Sequence, residues 1–197
     1  MTSYEPLKPI GKAISMSSLT IRTYPDPVLK GECAPVETVT DEVRRLLDDM
    51  AETMYLNSGI GLAAPQVGET ARLIVVDVQR GEEGDTLLKL VNPRIVEKQG
   101  ETKSEEGCLS CPDLLVEVGR FETVTVKALL PDGKETTIEA EGLLAICLQH
   151  EIDHLDGVLL VDRLSSLRRT LYHKKRVKED AKVADSSDEA RPNNPTA

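Results

Sequence analysis

Five consecutive residues, His150-Glu151-Ile152-Asp153-His154, concentrate the groups in this chain best suited to chemistry. On an α-helix, histidines four positions apart share a face, with Cβ atoms about 5–6 Å apart, so their imidazoles can hold one metal ion. Glu151 follows the first histidine and lies about 100° further round the helix, beside the ion without ligating it. A carboxylate there can take a proton from an attacking water. Solvated charge on a helix face is the ordinary alternative. Against it, Leu143, Leu144, Ile146, Cys147, Leu148, Ile152 and Leu155 leave no broad polar side, which predicts a buried helix. Two imidazoles and a carboxylate in such a helix need partners to offset their desolvation. The chain has three histidines, and two of them are here.

A mononuclear catalytic site takes three protein ligands and keeps a fourth position open. In one large class of metalloproteases a later histidine completes the set, but Leu160 stands at that spacing and His173 falls in a lysine-rich stretch. The third ligand is therefore expected upstream. Cys108 is the best candidate, because a thiolate with two imidazoles suits a borderline-soft divalent ion such as Zn²⁺ or Fe²⁺. A rival reading makes Cys108 and Cys111 a Cys-x-x-Cys redox pair or half of a zinc knuckle. A structural zinc site would fill all four positions, and in extended backbone residues three apart point to opposite faces, which disfavours joint ligation. Cys111 and Cys147 read as packing residues.

The elements that must position these groups follow from punctuation and period. A short strand from Thr20 gives way to the turn Tyr24-Pro25-Asp26-Pro27. Thr40 is a candidate N-cap, with Asp41 and Glu42 at the positive end of the dipole, and Val43, Leu46, Leu47, Met50 and Met54 recur at helical spacing until Asn57-Ser58-Gly59. The small residues of Gly59-Ile60-Gly61-Leu62-Ala63-Ala64-Pro65-Gln66 let a ligand or another backbone approach closely. Gln66 is the one amide donor among them, and on local grounds it is equally a turn residue. Apolar strands are expected over 73–78 and 87–91, the second extended past a bulge to Ile95-Val96. A half-buried strand over 124–130 turns through Pro131-Asp132-Gly133-Lys134 into 136–140, a hairpin. Gly157 suits the end of the motif helix. No crossover helices separate the strands, which predicts an α+β domain: mostly antiparallel short sheets around the buried metal-binding helix, with one further helix before it and one after.

Length fits one catalytic domain over residues 20–179, flanked by a flexible extension, 1–19, and a polar disordered tail, 180–197. Net charge is −10, which argues against a general DNA-binding surface. The sequence shows neither a secretory leader nor a membrane-length apolar run, so a soluble cytoplasmic protein with reduced cysteines is expected. Residues 164–178 form a basic helical stretch with Arg168, Arg169, Lys174, Lys175, Arg176 and Lys178.

Three stretches, Gly-Ile-Gly-Leu-Ala-Ala-Pro-Gln at 59–66, Glu-Gly-Cys-Leu-Ser at 106–110 and Gln-His-Glu-Ile-Asp-His at 149–154, together resemble the signature motifs of peptide deformylases over roughly residues 20–172. The resemblance implies removal of the formyl group from the N-terminal methionine of nascent polypeptides, with release of formate. It implies Cys108, His150 and His154 as metal ligands, Glu151 as general acid/base, and Gln66 with the Leu109 N–H as oxyanion donors. Fe²⁺ is the implied ion, with Zn²⁺, Ni²⁺ or Co²⁺ as substitutes. The strand Gly59, Ile60, Gly61, Leu62 is expected to pair with substrate backbone and Ile146 to line the methionine pocket, while Glu106 and Arg120 orient the site. Docking of the basic C-terminal helix on the ribosome is a further implied partnership. Cys111 departs from the pattern, in which an aliphatic residue is common.

Overall fold

The structure, a computed structural model, describes residues 18–79 and 86–189, side chains only up to residue 182. Almost all of the expected N-terminal extension and the polar turn 80–85 lie outside the described residues. Helix α1 spans Asp41–Leu56, and Thr40 caps it by accepting a hydrogen bond from Val43 N at 3.5 Å. Among the described residues seven strands follow: β1 Gly61–Ala63, β2 Leu73–Val76, β3 Leu88–Gln99, β4 Thr102–Cys108, β5 Cys111–Arg120, β6 Thr123–Leu129 and β7 Glu135–Glu141. The motif helix α2 is Gly142–Leu155, and α3 is Ser166–Glu189.

Strands β1-β2-β3-β6-β7 form one antiparallel sheet in that order, and β4 and β5 pair as a separate antiparallel hairpin. The α+β architecture is as expected. Every residue of β2 is buried, because both faces of the sheet are covered there. Leu73 and Val75 pack with Leu47, Met50 and Met54 of α1, while Ile74 and Val76 pack with Cys147, Leu148, Ile152 and Leu155 of α2. The period-2 alternation of the strand thus ties the two helices to opposite faces. Helix α2 ends in a Schellman motif: Val158 N donates to Asp153 O at 2.9 Å and Gly157 N to His154 O at 3.2 Å. Gly157 has φ +70°, and a Cβ there would lie 2.6 Å from Lys30 O, so glycine is required twice over.

Three expectations are corrected. The segment after Thr20 is not a strand; it runs as irregular extended chain, with Arg22 N donating to Gln66 O at 2.7 Å and Tyr24 N to Ser110 O at 2.8 Å. It straps together the two loops that flank the site instead of joining a sheet. Ahead of Glu105 the sequence reads as a charged loop; from Thr102 this stretch is instead β4, whose ladder with β5 supplies a regularity invisible in its polar sequence. Helix α3 continues to Glu189, into the segment expected to lack structure, and ion pairs from Arg176 to Glu179 and Asp180 support that continuation. No described helix is long and apolar enough to cross a membrane.

Candidate metal centre

Cys108 closes β4, and His150 and His154 stand one turn apart on α2. Their ligand atoms lie within 4.8 Å of one another, the one such cluster among the described residues. His154 Nε2 is 3.2 Å from Cys108 Sγ, and the two imidazole rings are 5.0 Å apart. The three groups fit a divalent ion on independent grounds. His150 Nδ1 meets Glu106 Oε2 at 2.8 Å, which leaves Nε2 for a ligand. Burial, ahead of any neighbouring charge, holds His154 well below the usual histidine range, which favours the neutral imidazole that a metal requires. The neighbouring Cys111 thiol and burial push Cys108 well above the ordinary thiol value. An ion entering the site would displace that proton.

Glu106 and Arg120 form a bidentate pair at 2.7 and 2.8 Å, each 6% exposed. Burial alone would raise the Glu106 carboxyl, but the hydrogen bonds from Arg120 and His150 hold it down to about 2. Arg120 also donates to Asp153 at 2.7 Å, and Asp153 accepts from Arg163 at 3.0 Å. Arg163, Asp153, Arg120 and Glu106 thus form a charged chain from the surface to the ring of His150. Sequence reasoning passed over Asp153, although it sits inside the motif. It also passed over Gln149, whose side chain accepts from Phe121 N at 2.9 Å and donates to Phe121 O at 3.0 Å, fastening the chain just beyond β5 to α2. A buried amide in an apolar helix was the available signal.

Glu151 is 4% exposed, and its Oε2 has no hydrogen-bond partner. Burial pushes its carboxyl up to about 7, with His150 pulling down and Glu106 pushing up. Gln66 is 2% exposed; Ala63 N donates to its Oε1 at 2.8 Å, which turns its Nε2 toward Cys108 Sγ at 3.6 Å. Leu109 follows Cys108 in the turn at the tip of the β4–β5 hairpin. A cavity of about 560 Å³ opens in front of these groups, lined by Gly59, Ile60, Gly61, Leu109, Ile146 and His150 among others. Leu62 is fully buried against α1, so of the expected substrate strand it offers backbone only. Strand β1 is an edge of its sheet, which leaves a side open for pairing. Leu143, Leu115 and Cys147 also line the cavity; none of them was expected at the site, and Cys147 read as a packing residue.

A sequence model of the Polypeptide deformylase family matches residues 18–170. The chain belongs to the peptide deformylase family. A peptide deformylase of Thermodesulfovibrio yellowstonii is 52% identical over 160 residues, covering 81% of this chain and 97% of that protein. One from Syntrophobacter fumaroxidans is 51% identical, covering 81% and 94%. Among solved structures, the peptide deformylase of Legionella pneumophila superposes with a TM-score of 0.76 at 45% identity, covering 87% of this chain and 98% of that one. The Ehrlichia chaffeensis peptide deformylase in complex with actinonin gives 0.77 at 41% identity, covering 83% and 98%. This fold accordingly carries a Cys/His/His cluster that could hold a metal ion, and Cys108, His150 and the buried Glu151 line the adjoining cavity.

Proposed function

We propose that Cys108, His150 and His154 hold one divalent ion and that Glu151 moves the proton in removal of the N-terminal formyl group from nascent polypeptides. Deformylation is the reaction of the family. The observation that carries the assignment of roles is the juxtaposition of an unpartnered, buried Glu151 oxygen with three convergent ligand atoms. When bound, the ion supplies Lewis acidity toward an oxygen ligand. Glu151 Oε2 accepts a proton as water attacks the formyl carbon, and it returns that proton to the amine nitrogen as the C–N bond breaks and formate leaves. A carboxyl raised to about 7 suits both directions of transfer. The Gln66 amide and the Leu109 N–H donate to the carbonyl oxygen as charge develops on it. Gly59, Ile60, Gly61 and Leu62 pair with peptide backbone, and Ile146 walls the pocket for the methionine side chain.

The donor set of one thiolate and two imidazoles suits a borderline-soft divalent ion, and membership of the peptide deformylase family points to Fe²⁺, with Zn²⁺, Ni²⁺ and Co²⁺ as substitutes. Residues 20–179 constitute the catalytic domain. Arg168, Arg169, Lys174, Lys175 and Lys178 of α3 are exposed alongside Leu167 and Leu171, which supports ribosome docking and a cytoplasmic place of action. Arg176, itself buried and paired with Glu179 and Asp180, is excluded from that surface. The deciding experiment is formate release from a formyl-Met peptide by anaerobically purified, metal-assayed protein beside Glu151→Ala. Release by the wild type and a loss of about 10²–10⁴-fold in a variant with full metal content is the expected result. Equal rates remove Glu151 from the mechanism. Salt-dependent co-sedimentation with ribosomes, lost on charge reversal at Lys174 and Lys175, tests the docking surface.

A further inference from the structure

Cys108 and Cys111 flank the turn Leu109-Ser110 as opposed residues of the β4–β5 ladder. Opposed residues of an antiparallel pair have Cα atoms about 4.5–5.5 Å apart and side chains on the same face. That separation falls inside the range of about 4.4–6.8 Å that a disulfide spans. The hairpin turn therefore reverses the argument from spacing: three residues apart in a straight strand means opposite faces, but across a tight turn it means the same face. The Cys108 side chain packs against the apolar cluster that holds Cys111. Both line the active-site cavity, Cys108 partly accessible and Cys111 only 1% exposed. The remaining cysteines, Cys33 in a loop and Cys147 on α2, are buried in a different core cluster.

We propose that Cys108 and Cys111 form a reversible thiol–disulfide pair, closed by peroxide, that releases the metal and shields its sulfur ligand from irreversible oxidation. The step balances without a further reagent. The accessible Cys108 sulfur attacks one oxygen of hydrogen peroxide, the O–O bond breaks, and a sulfenic acid and one water result. The Cys111 sulfur then attacks the Cys108 sulfur, forming the S–S bond and expelling a second water. Two thiols lose two electrons and one peroxide gains them. With its sulfur bonded to Cys111, Cys108 no longer offers a thiolate, and two imidazoles alone remain to hold the ion. A dithiol reductant reverses the step. Reading Cys108 as a metal ligand links this chemistry to the proposed activity.

The test treats metal-loaded enzyme with hydrogen peroxide and follows three quantities: released metal, peptide mass without reductant, and formate release after dithiothreitol and fresh Fe²⁺. Cys108 and Cys111 fall in one tryptic peptide, bounded by Lys103 and Arg120. In the wild type that peptide becomes lighter by two hydrogens, metal is released, and reductant restores both mass and activity. In Cys111→Ser and Cys111→Val the same peptide gains oxygen instead, and reductant restores little. A wild-type peptide that gains oxygen without losing hydrogens overturns the proposal, as does a disulfide to Cys147, or equal recovery in both Cys111 variants. The mass readout is independent of catalysis, and formate release before peroxide tests the deformylase reading separately.

Discussion

Replacing Gly61 with alanine strikes the base without touching a metal ligand. A Cβ built on Gly61 lies 2.7 Å from Cys147 Sγ and 2.8 Å from the Glu151 carboxyl carbon. Ordinary carbon contacts sit at about 3.5–4.0 Å, so something must yield by about 1 Å. Gly61 itself is held by its ladder with Val76, and α2 is packed along its length against the sheet. The Glu151 side chain, whose Oε2 has no partner to hold it, is the group that moves. Gly61 does not have a positive φ, so the effect is steric and not a matter of backbone strain. Misplacing a catalytic group by about 1 Å costs on the order of 10²-fold in rate. Overpacking of this kind costs about 1–3 kcal/mol of stability, and each kcal/mol lowers the midpoint of a chain this size by about 2–4 °C. The assay is kcat and KM on a formyl-Met peptide, with metal content and thermal midpoint measured on the same preparation. The expected result is a fall in kcat of about 10²-fold with metal content unchanged. Wild-type kcat with the metal in place, or a rate loss that merely tracks metal loss, refutes the argument.

Glu106→Gln removes the charge that pairs Arg120 and weakens the hold on His150, so metal affinity should fall about 10–100-fold, measured by chelator competition. The same carboxyl links stability to pH. Its folded value of about 2 lies below its ordinary 4.5, so it stabilises the fold fully above pH 4.5, and that contribution is lost as pH falls toward 2. The linkage amounts to about 3 kcal/mol, and denaturant titrations at pH 7 and pH 3 should show a smaller difference in Glu106→Gln than in the wild type. Leu148→Ala, at a fully buried position of α2, should cost about 2–5 kcal/mol in the same titration; a loss under 1 kcal/mol would mean the helix is less tightly packed than it stands here.

How much of this was legible beforehand differs from element to element. Helix α1 was readable because its cap, dipole charges and apolar period agree with its tertiary surroundings. β2 was readable as an apolar run, and β6 and β7 as alternation about a Pro-Asp-Gly turn. β4 was not, since Thr-Lys-Ser-Glu-Glu is a poor strand sequence and only pairing with β5 makes it one. The segment after Thr20 misled in the other direction: its β-branched residues suggested a strand, but its backbone bonds go to the loops at Gln66 and Ser110.

The site divides along the same line. Sequence alone determined what is local to α2: two histidines on one face, a carboxylate set off from them, and a buried apolar helix to carry all three. It also determined the types of the candidate ligands, and hence the class of ion they suit. Only the tertiary structure decided that Glu106 meets a histidine 44 positions away, that Gln66 turns its amide toward a cysteine 42 positions away, and that Cys108 and Cys111 face one another. The reason is physical. Helical spacing is set by backbone geometry within a few residues, whereas these contacts depend on which surfaces the sheet, α2 and the β4–β5 hairpin bury against each other.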